Sequence, residues 1–278
     1  MLRKPTGNEL PHITWHLTGP FTFLPIHAAG LYDTKDQPKI FDYVVSSYTP
    51  TLAALLSAKN RPPRSSTTPR LLTISQPATP HQNRLPGALR EVDTIQSLQR
   101  QTDQLHVTRL DDREATVAAV LQHMEGCNWI HLACHGVQDA ANPTDSAFLL
   151  IDNPLTLREI MKKSFSHTEL AVLSACQTAK GDSGLPNEAI HLAAGMLAAG
   201  YASVVATMWS IQDDDAPIIA EKFYKYLIEE AGGDSDRAAY ALHYAVAHLR
   251  EVRGENNFAS WAPFIHLGIC SPPRPLPK

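Results

Sequence analysis

The sequence has few cysteines, no long apolar run and no long basic run, and each shortage argues against a class of protein. The 4 cysteines stand at 127, 134, 176 and 270 without a repeated CxxC spacing, which favours free thiols in a reducing compartment over a disulfide framework. The N-terminal residues lack the apolar core of a signal peptide, and no stretch is apolar enough to span a bilayer. With a net charge of −4 as well, we expect a protein of the cytoplasm, or of the nucleus, that binds neither nucleic acid directly nor a membrane.

Short apolar segments alternate along the chain with stretches of helical periodicity, which predicts a mostly parallel sheet covered by helices on both faces. Nearly all-apolar strands at 129–134, 170–174 and 203–208 fit this arrangement, because a doubly covered strand buries both of its sides. The segment 15–24 is predicted as a hairpin with a Gly-Pro bend, and the Pro-rich segment 76–86 as an irregular loop.

Cys176 stands where the apolar strand 170–174 gives way to a polar loop that contains glycine. A thiol is mostly protonated at neutral pH, so a nucleophilic cysteine needs a neighbouring base or a favourable field. A cysteine taken at random in such a chain is most often a small buried apolar residue. The position of Cys176 at a strand end, followed by polar residues, favours a nucleophile instead.

His135 is the candidate base, since it follows the strand 129–134 directly and precedes Gly136. Ligands of such sheets bind outside the carboxyl ends of the strands. The separation between His135 and Cys176 is about that of one βαβ unit, so the two strand ends can be adjacent. A lone histidine is more often a surface or core residue, and the argument rests on the pair. Strand alternation directs Cys134 into the core, and Gly136 would let its amide approach a substrate closely.

Two further motifs are decoys. GDSG at 181–184 matches the surroundings of the nucleophile in chymotrypsin-like serine proteases, but that fold is all-β, whereas this chain alternates strands with helices. His131 and His135 form H-x-x-x-H, a spacing that binds zinc on helices. Here the segment is predicted as a strand and lacks the expected glutamate. We expect no metal and no cofactor.

Three stretches carry a recognisable pattern: WIHLACHG at 129–136, LAVLSACQTAKGD at 170–182 and NEAIHLAAGMLAAGYASVVATMWSIQDDDAP at 187–217. They closely resemble the CHAT domain, a caspase-like cysteine peptidase domain of the caspase–separase clan. WHLTGPFTFLPIHAA at 15–29 and WAPFIHLG at 261–268 resemble its opening and closing motifs. The resemblance covers 15–268, with motif variants similar to a fungal-type branch.

The resemblance implies a caspase-like three-layer α/β sandwich and a cysteine endopeptidase that cleaves protein or peptide substrates in regulated signalling. His135 would be the general base and Cys176 the nucleophile, and the backbone amides of Gly136 and Cys176 would hold the oxyanion. A third catalytic side chain is not required, because the backbone can orient the base.

The resemblance also implies a defined P1 preference, which is often basic in separase-like members. A basic P1 residue would need an acid in the S1 pocket. Asp213 and Asp215 correspond roughly to an acidic loop of separases, and Asp139 and Asp182 are further candidates on the two catalytic loops. Asp213 and Asp215 are at least as well explained as acids favoured at a helix N-terminus.

The predicted organisation is a lead-in segment at 1–14, the peptidase domain at 15–268 and a Pro-rich tail at 269–278. The family usually carries long N-terminal repeats, so the chain is either a stand-alone member or a fragment. A tetratricopeptide-repeat sensor or regulatory protein is therefore a candidate partner. Two alternatives stay open: a catalytically silent scaffold or signalling module, and hydrolysis or transfer on a small acyl substrate by the same dyad.

Overall fold

The computed structural model describes residues 10–34, 36–60, 68–139, 141–163, 165, 167–174, 176–177 and 188–271. Its strands are β1 (His12–Trp15), β2 (Val45–Tyr48), β3 (Arg70–Ser75), β4 (His106–Asp111), β5 (Trp129–Ala133), β6 (His135–Val137), β7 (Ala147–Leu149), β8 (Pro154–Thr156), β9 (Leu170–Leu173), β10 (Cys176–Gln177), β11 (Ser203–Thr207) and β12 (Phe264–Gly268). Its α-helices are α1 (Leu52–Lys59), α2 (Pro86–Gln99), α3 (Val117–Met124), α4 (Leu157–Lys162), α5 (Glu188–Ala198), α6 (Ala216–Lys225), α7 (Ala238–Arg253) and α8 (Phe258–Trp261).

Eight of the strands form a central sheet in the order β1-β2-β12-β11-β9-β5-β3-β4. Only the β11–β12 pair of this sheet is antiparallel, so the predicted mostly parallel sheet is confirmed. Among the described residues, no helix is both long and apolar enough to cross a membrane.

Alternate residues of the central strands enter two separate apolar cores, one on each face of the sheet. Ala171 and Leu173 of β9 pack in the core that includes residues of α3, α4 and α5. Leu170 and Val172 pack in the core that includes residues of α2, α6 and α7. Because both faces are covered, every position of β9 is apolar, and the layered α/β prediction holds.

The predicted hairpin at 15–24 is wrong. The first strand, β1, begins at His12, within the predicted lead-in, and pairs in parallel with β2. The chain after it forms a 3-10 helix, Gly19–Phe23. Gly19 has a positive φ of 58°, which glycine adopts without strain, and the ring of Pro20 suits the first turn of a helix. The Gly-Pro sequence does form a bend, but this bend begins a 3-10 helix and does not link two antiparallel strands.

Three histidines line a cavity bounded in part by β2, β12 and α7. Burial lowers the pKa of His27 and of His243 to about 4, and that of His266 to about 3. The nearby guanidinium of Arg250 also lowers the pKa of His27 and His243. His266 lies 2.6 Å from the hydroxyl oxygens of Ser47 and Ser203. The fold therefore favours the neutral form of all three imidazoles.

We expect acid to destabilise the protein through these histidines. Their folded pKa values lie below the unfolded value of about 6.5, so the unfolded chain binds protons first as the pH falls from 6.5 towards 4. Each such histidine lowers the free energy of unfolding by up to about 1.4 kcal/mol per pH unit. Denaturant titrations between pH 7.5 and pH 4.5 should show this slope, and His243→Gln should reduce it. His106→Gln, at an exposed strand position, is the matched control; an unaltered slope in His243→Gln would contradict the prediction.

Candidate active site

A second, smaller sheet brings the two candidate catalytic residues side by side. Its strands run in the order β10-β6-β7-β8, and β10 is parallel to β6. Cys176 is the register partner of His135 in this pairing. Paired strands lie about 4.8 Å apart, so the backbones of the two residues are direct neighbours. The adjacency that the sequence predicted for the two strand ends is present in the backbone.

This register continues that of the central sheet. There Trp129 of β5 pairs with Leu170 of β9, and Leu132 pairs with Leu173. The pairing of His135 with Cys176 keeps the same sequence offset. The packing that aligns β5 with β9 therefore also aligns the two catalytic candidates beyond the ends of those strands.

The ring of His135 is completely buried and makes one defined hydrogen bond. Its Nε2 lies 2.7 Å from the backbone carbonyl oxygen of Asn83. A carbonyl oxygen only accepts hydrogen bonds, so Nε2 carries the proton and Nδ1 of the neutral ring is an acceptor. Nδ1 is buried and has no hydrogen-bond partner within the described part of the chain. The backbone thus orients the ring so that Nδ1 is the nitrogen that could accept a proton, and no described side chain occupies that nitrogen.

The orienting carbonyl belongs to the loop between β3 and α2, which is fixed at both ends. The amide of Gln76 donates to the carbonyl of Ala133 at 2.9 Å, and the amide of Leu85 donates to the carbonyl of Pro77 at 2.9 Å. Leu85 and Ala88 form a small buried cluster with Ala133. The segment predicted as an irregular loop is therefore fixed in place by these contacts, and it orients the ring of His135.

Asp213 holds the start of α2. Its Oδ2 accepts a hydrogen bond from the amide of Gly87 at 2.6 Å and lies 3.5 Å from a guanidinium nitrogen of Arg90. A Cβ at position 87 would lie 2.2 Å from the carbonyl oxygen of Asp213, so this close approach requires glycine. A carboxylate is favoured at a helix N-terminus by the orientation of the peptide dipoles. Asp213 therefore stabilises the helix that follows the orienting loop.

Asp215 is completely buried, and both of its carboxylate oxygens are engaged. Oδ1 accepts a hydrogen bond from Nε of Arg253 at 2.7 Å, and Oδ2 accepts one from the hydroxyl of Ser260. The substrate contact predicted for Asp215 is not available to it in this structure, because burial and an internal ion pair occupy the group.

The other two S1 candidates are Asp139 and Asp182. Oδ1 of Asp139 accepts hydrogen bonds from the amides of Ala141 and Asn142 at 2.9 and 2.8 Å, which is typical of an acid that closes a turn. Asp182 and the GDSG motif lie outside the described residues. For Asp139, Asp182 and Asp213, a role in substrate binding stays a prediction.

The cysteine and the glycine that flank His135 differ in their surroundings. Cys134 is completely buried in the core that contains Leu132, on the side of the sheet that alternation predicted. Gly136 lies in β6, in register with Gln177 of β10. Oxyanion binding by the backbone amides of Gly136 and Cys176 stays a prediction.

His131 is held in a buried polar network that the sequence analysis missed. Its Nε2 lies 3.0 Å from Oε2 of Glu91, and its Nδ1 lies 3.1 Å from the hydroxyl of Tyr224. The hydroxyl of Ser174 donates to Oε1 of Glu91 at 2.9 Å. One signal was present: Glu91 stands beside the apolar positions of an amphipathic helix, where a charged group needs a partner. The Asn83 carbonyl left no such signal, because every residue has one.

The comparisons with known proteins concern the family and the fold. The sequence matches the CHAT domain family over residues 1–269. No curated protein matches it.

Three solved structures are similar in fold. The Arg-specific cysteine proteinase gingipain R (RgpB) has a TM-score of 0.56 at 12% identity, over 83% of this chain and 55% of that one. The complex of the Porphyromonas gingivalis RgpB pro- and mature domains has a TM-score of 0.59 at 11% identity, over 95% and 65% of the two chains. The Saccharomyces cerevisiae separase–securin complex has a TM-score of 0.50 at 16% identity, over 83% and 14%.

This chain thus spans less than two thirds of the length of each of these proteins. At these identities the likeness concerns the fold, a caspase-like α/β sandwich. Since the family match extends over nearly the whole sequence and the fold agrees with it, the chain belongs to the CHAT domain family.

Proposed function

We propose that this protein is a cysteine endopeptidase that hydrolyses peptide bonds in protein substrates through Cys176 and His135. The observation that carries the proposal is the pairing of Cys176 with a buried histidine whose ring is oriented by the Asn83 carbonyl. The second ring nitrogen of that histidine has no other partner among the described residues. The caspase-like fold that this chain shares with the Arg-specific cysteine proteinase gingipain R supports the same reaction class.

In the proposed reaction, the thiol of Cys176 gives its proton to Nδ1 of His135. The thiolate attacks the carbonyl carbon of the scissile peptide bond, and the C–N bond breaks as the histidine returns the proton to the leaving amine. A thioester remains on Cys176. Water then attacks the thioester carbonyl while Nδ1 takes the proton of that water, and the thiolate leaves and regains the proton. Backbone amides would hold the oxyanion that forms in each step.

The burial of His135 is also compatible with the alternative of a catalytically silent scaffold. The ring of His135 has no solvent exposure, so a peptide cannot approach it in this conformation without movement of the surrounding chain. A silent scaffold and a peptidase that must be opened before it acts share this feature. They differ in the reactivity of the thiol, because only the peptidase needs an activated Cys176.

We expect Cys176→Ala and His135→Ala each to lower the cleavage rate of a protein or peptide-library substrate by at least about 10³-fold, since dyad members act as a unit. Cys127→Ala, at a half-buried cysteine on the chain segment before β5, is the matched control and should retain the wild-type rate. The measurement is mass-spectrometric detection of cleavage products, with circular dichroism to verify folding. Wild-type turnover by Cys176→Ala would exclude the mechanism.

Thiol labelling distinguishes the scaffold from the peptidase. A peptide chloromethylketone should modify Cys176 faster than Cys127, Cys134 or Cys270, and His135→Ala should abolish this preference. Uniform slow labelling of all four cysteines in the folded protein would favour the scaffold.

Stability and P1 preference can be measured separately in variants of the acidic segment Asp213, Asp214 and Asp215. We expect Asp215→Asn to lower the free energy of unfolding by about 2 kcal/mol, because Arg253 loses its ion pair and Ser260 loses a charged acceptor. This is below the loss for a fully buried pair, since Arg253 is 31% exposed. The ratio of cleavage after arginine to cleavage after leucine should not change. Denaturant titration and paired peptides measure the two effects.

Asp214→Asn is the matched control for that experiment. The Asp214 side chain is 67% exposed and contacts the exposed Arg90, so its loss should leave the stability unchanged. A stable Asp215→Asn protein with a selective loss of cleavage after arginine would instead identify Asp215 as the S1 acid.

A further inference from the structure

A chain of hydrogen bonds between mostly buried groups connects α6, β5 and α2 to Ser174, just after β9. It runs from Tyr224 on α6 to His131 on β5, then to Glu91 on α2 and finally to Ser174, which follows β9. Tyr224 and His131 are completely buried, and Glu91 is only 3% exposed. We call these four residues the Glu91 network.

The carboxylate of Glu91 is the centre of the network, because both of its oxygens are engaged. Oε2 lies 3.0 Å from Nε2 of His131, and Oε1 accepts the hydroxyl proton of Ser174 at 2.9 Å. A buried carboxylate is costly unless its oxygens accept hydrogen bonds. An ionised glutamate only accepts, so both neighbours must donate to it, and Tyr224 holds the far side of the imidazole. These hydrogen bonds therefore fix the orientations of the Glu91 carboxylate, the His131 ring and the Ser174 hydroxyl relative to one another.

Ser174 is the last described residue before the strand that carries Cys176. Its amide donates to the carbonyl of Leu132 at 3.0 Å, which continues the ladder between β5 and β9. Its hydroxyl is held by Glu91. Two residues later, Cys176 pairs with His135 in β6. The backbone position of Cys176 thus depends on a short segment whose near end is fixed by two hydrogen bonds of Ser174.

The same helix, α2, directly follows the loop that orients His135. The loop that leads into α2 provides the Asn83 carbonyl to Nε2 of His135, and Glu91 lies on α2 itself. One helix with its leading loop therefore contacts His135 through a backbone carbonyl and Ser174, two residues before Cys176, through a buried carboxylate.

We propose that Glu91 is a positioning residue for the nucleophile: it holds Ser174, and thereby sets the placement of Cys176 relative to His135. The proposal rests on the proposed peptidase function for its turnover measurements but not for its thiol measurements. Glu91 does not touch substrate, and acts only through the Ser174 hydroxyl and the His131 ring.

The test compares Glu91→Gln and Ser174→Ala with the wild type. Glu91→Gln keeps the size of the side chain but replaces one accepting oxygen by a donating amide, so the hydrogen bond on that side is reversed or lost and no longer has a charged acceptor. A misplacement of about 1 Å at a reacting group can cost on the order of 10²-fold in rate. We expect kcat to fall about 10- to 100-fold in Glu91→Gln while KM changes by less than about threefold, because substrate binding is untouched. The alkylation rate of Cys176 by iodoacetamide at pH 7 should fall in the same variant.

Two further variants separate positioning from general destabilisation. Ser174→Thr keeps the hydroxyl and should recover most of the rate that Ser174→Ala loses. The double variant Glu91→Gln/Ser174→Ala should be no slower than the slower of the two single variants, because the proposal routes the effect of Glu91 through the Ser174 hydroxyl. Asp93→Asn, on the same helix with an exposed side chain bound to Arg109, is the matched control and should keep wild-type kinetics. Thermal melts verify that each variant is folded.

Distinct results would overturn the positioning role and the peptidase function. Wild-type kcat and wild-type alkylation of Cys176 in folded Glu91→Gln would refute positioning, as would a Ser174→Thr variant as slow as Ser174→Ala. If the wild-type protein cleaves nothing but its Cys176 alkylation depends on both His135 and Glu91, the peptidase function fails and the positioning role stands. If Cys176 of the wild type reacts no faster than Cys127, both are wrong.

Discussion

The register between adjacent parallel strands is the constraint on which the candidate site depends. β5 and β9 lie next to each other at the centre of the sheet, and the side chains of both enter the two apolar cores. Beyond their ends the chain keeps the same offset, so that His135 and Cys176 become partners in β6 and β10. A slip of one residue would turn the apolar side chains of a strand to the opposite face. Core packing along β5 and β9 therefore fixes the pairing of His135 with Cys176.

Polar contacts then set the orientation of the His135 ring, which the strand register alone does not determine. Strand pairing places backbones, whereas acid–base chemistry needs a defined ring orientation and tautomer. The Asn83 carbonyl supplies both for His135, and the loop that carries it is fixed by Leu85 packed on Ala133 and by α2, whose start Asp213 holds. These contacts are short-range and directional, and each belongs to a different element of the fold. The site is thus assembled from the two sheets and from α2 with the loop that leads into it.

The acids near the site illustrate why residue type alone is a weak guide to function. Asp213, Asp214 and Asp215 are consecutive, yet their carboxylates contact different groups: a helix amide, an exposed arginine, and the partly exposed Arg253 together with the buried Ser260, respectively. Glu91 was not singled out by any motif, yet it is buried and both of its carboxylate oxygens are engaged. Burial and partners, rather than position in a loop, separate a carboxylate that stabilises the fold from one that is available to a substrate.

The sequence by itself determined the alternation of strands and helices, the doubly covered sheet and the pairing of two strand ends, because these follow from apolar periodicity and from the rules of parallel sheets. The family motifs added the identity of the dyad candidates. Only the tertiary structure decided that the chain after β1 forms a 3-10 helix, that the Asn83 carbonyl orients the base and that Asp215 is an internal ion-pair partner. Those features depend on contacts between residues distant in the chain, and a backbone carbonyl or a buried partner leaves no local pattern in the sequence.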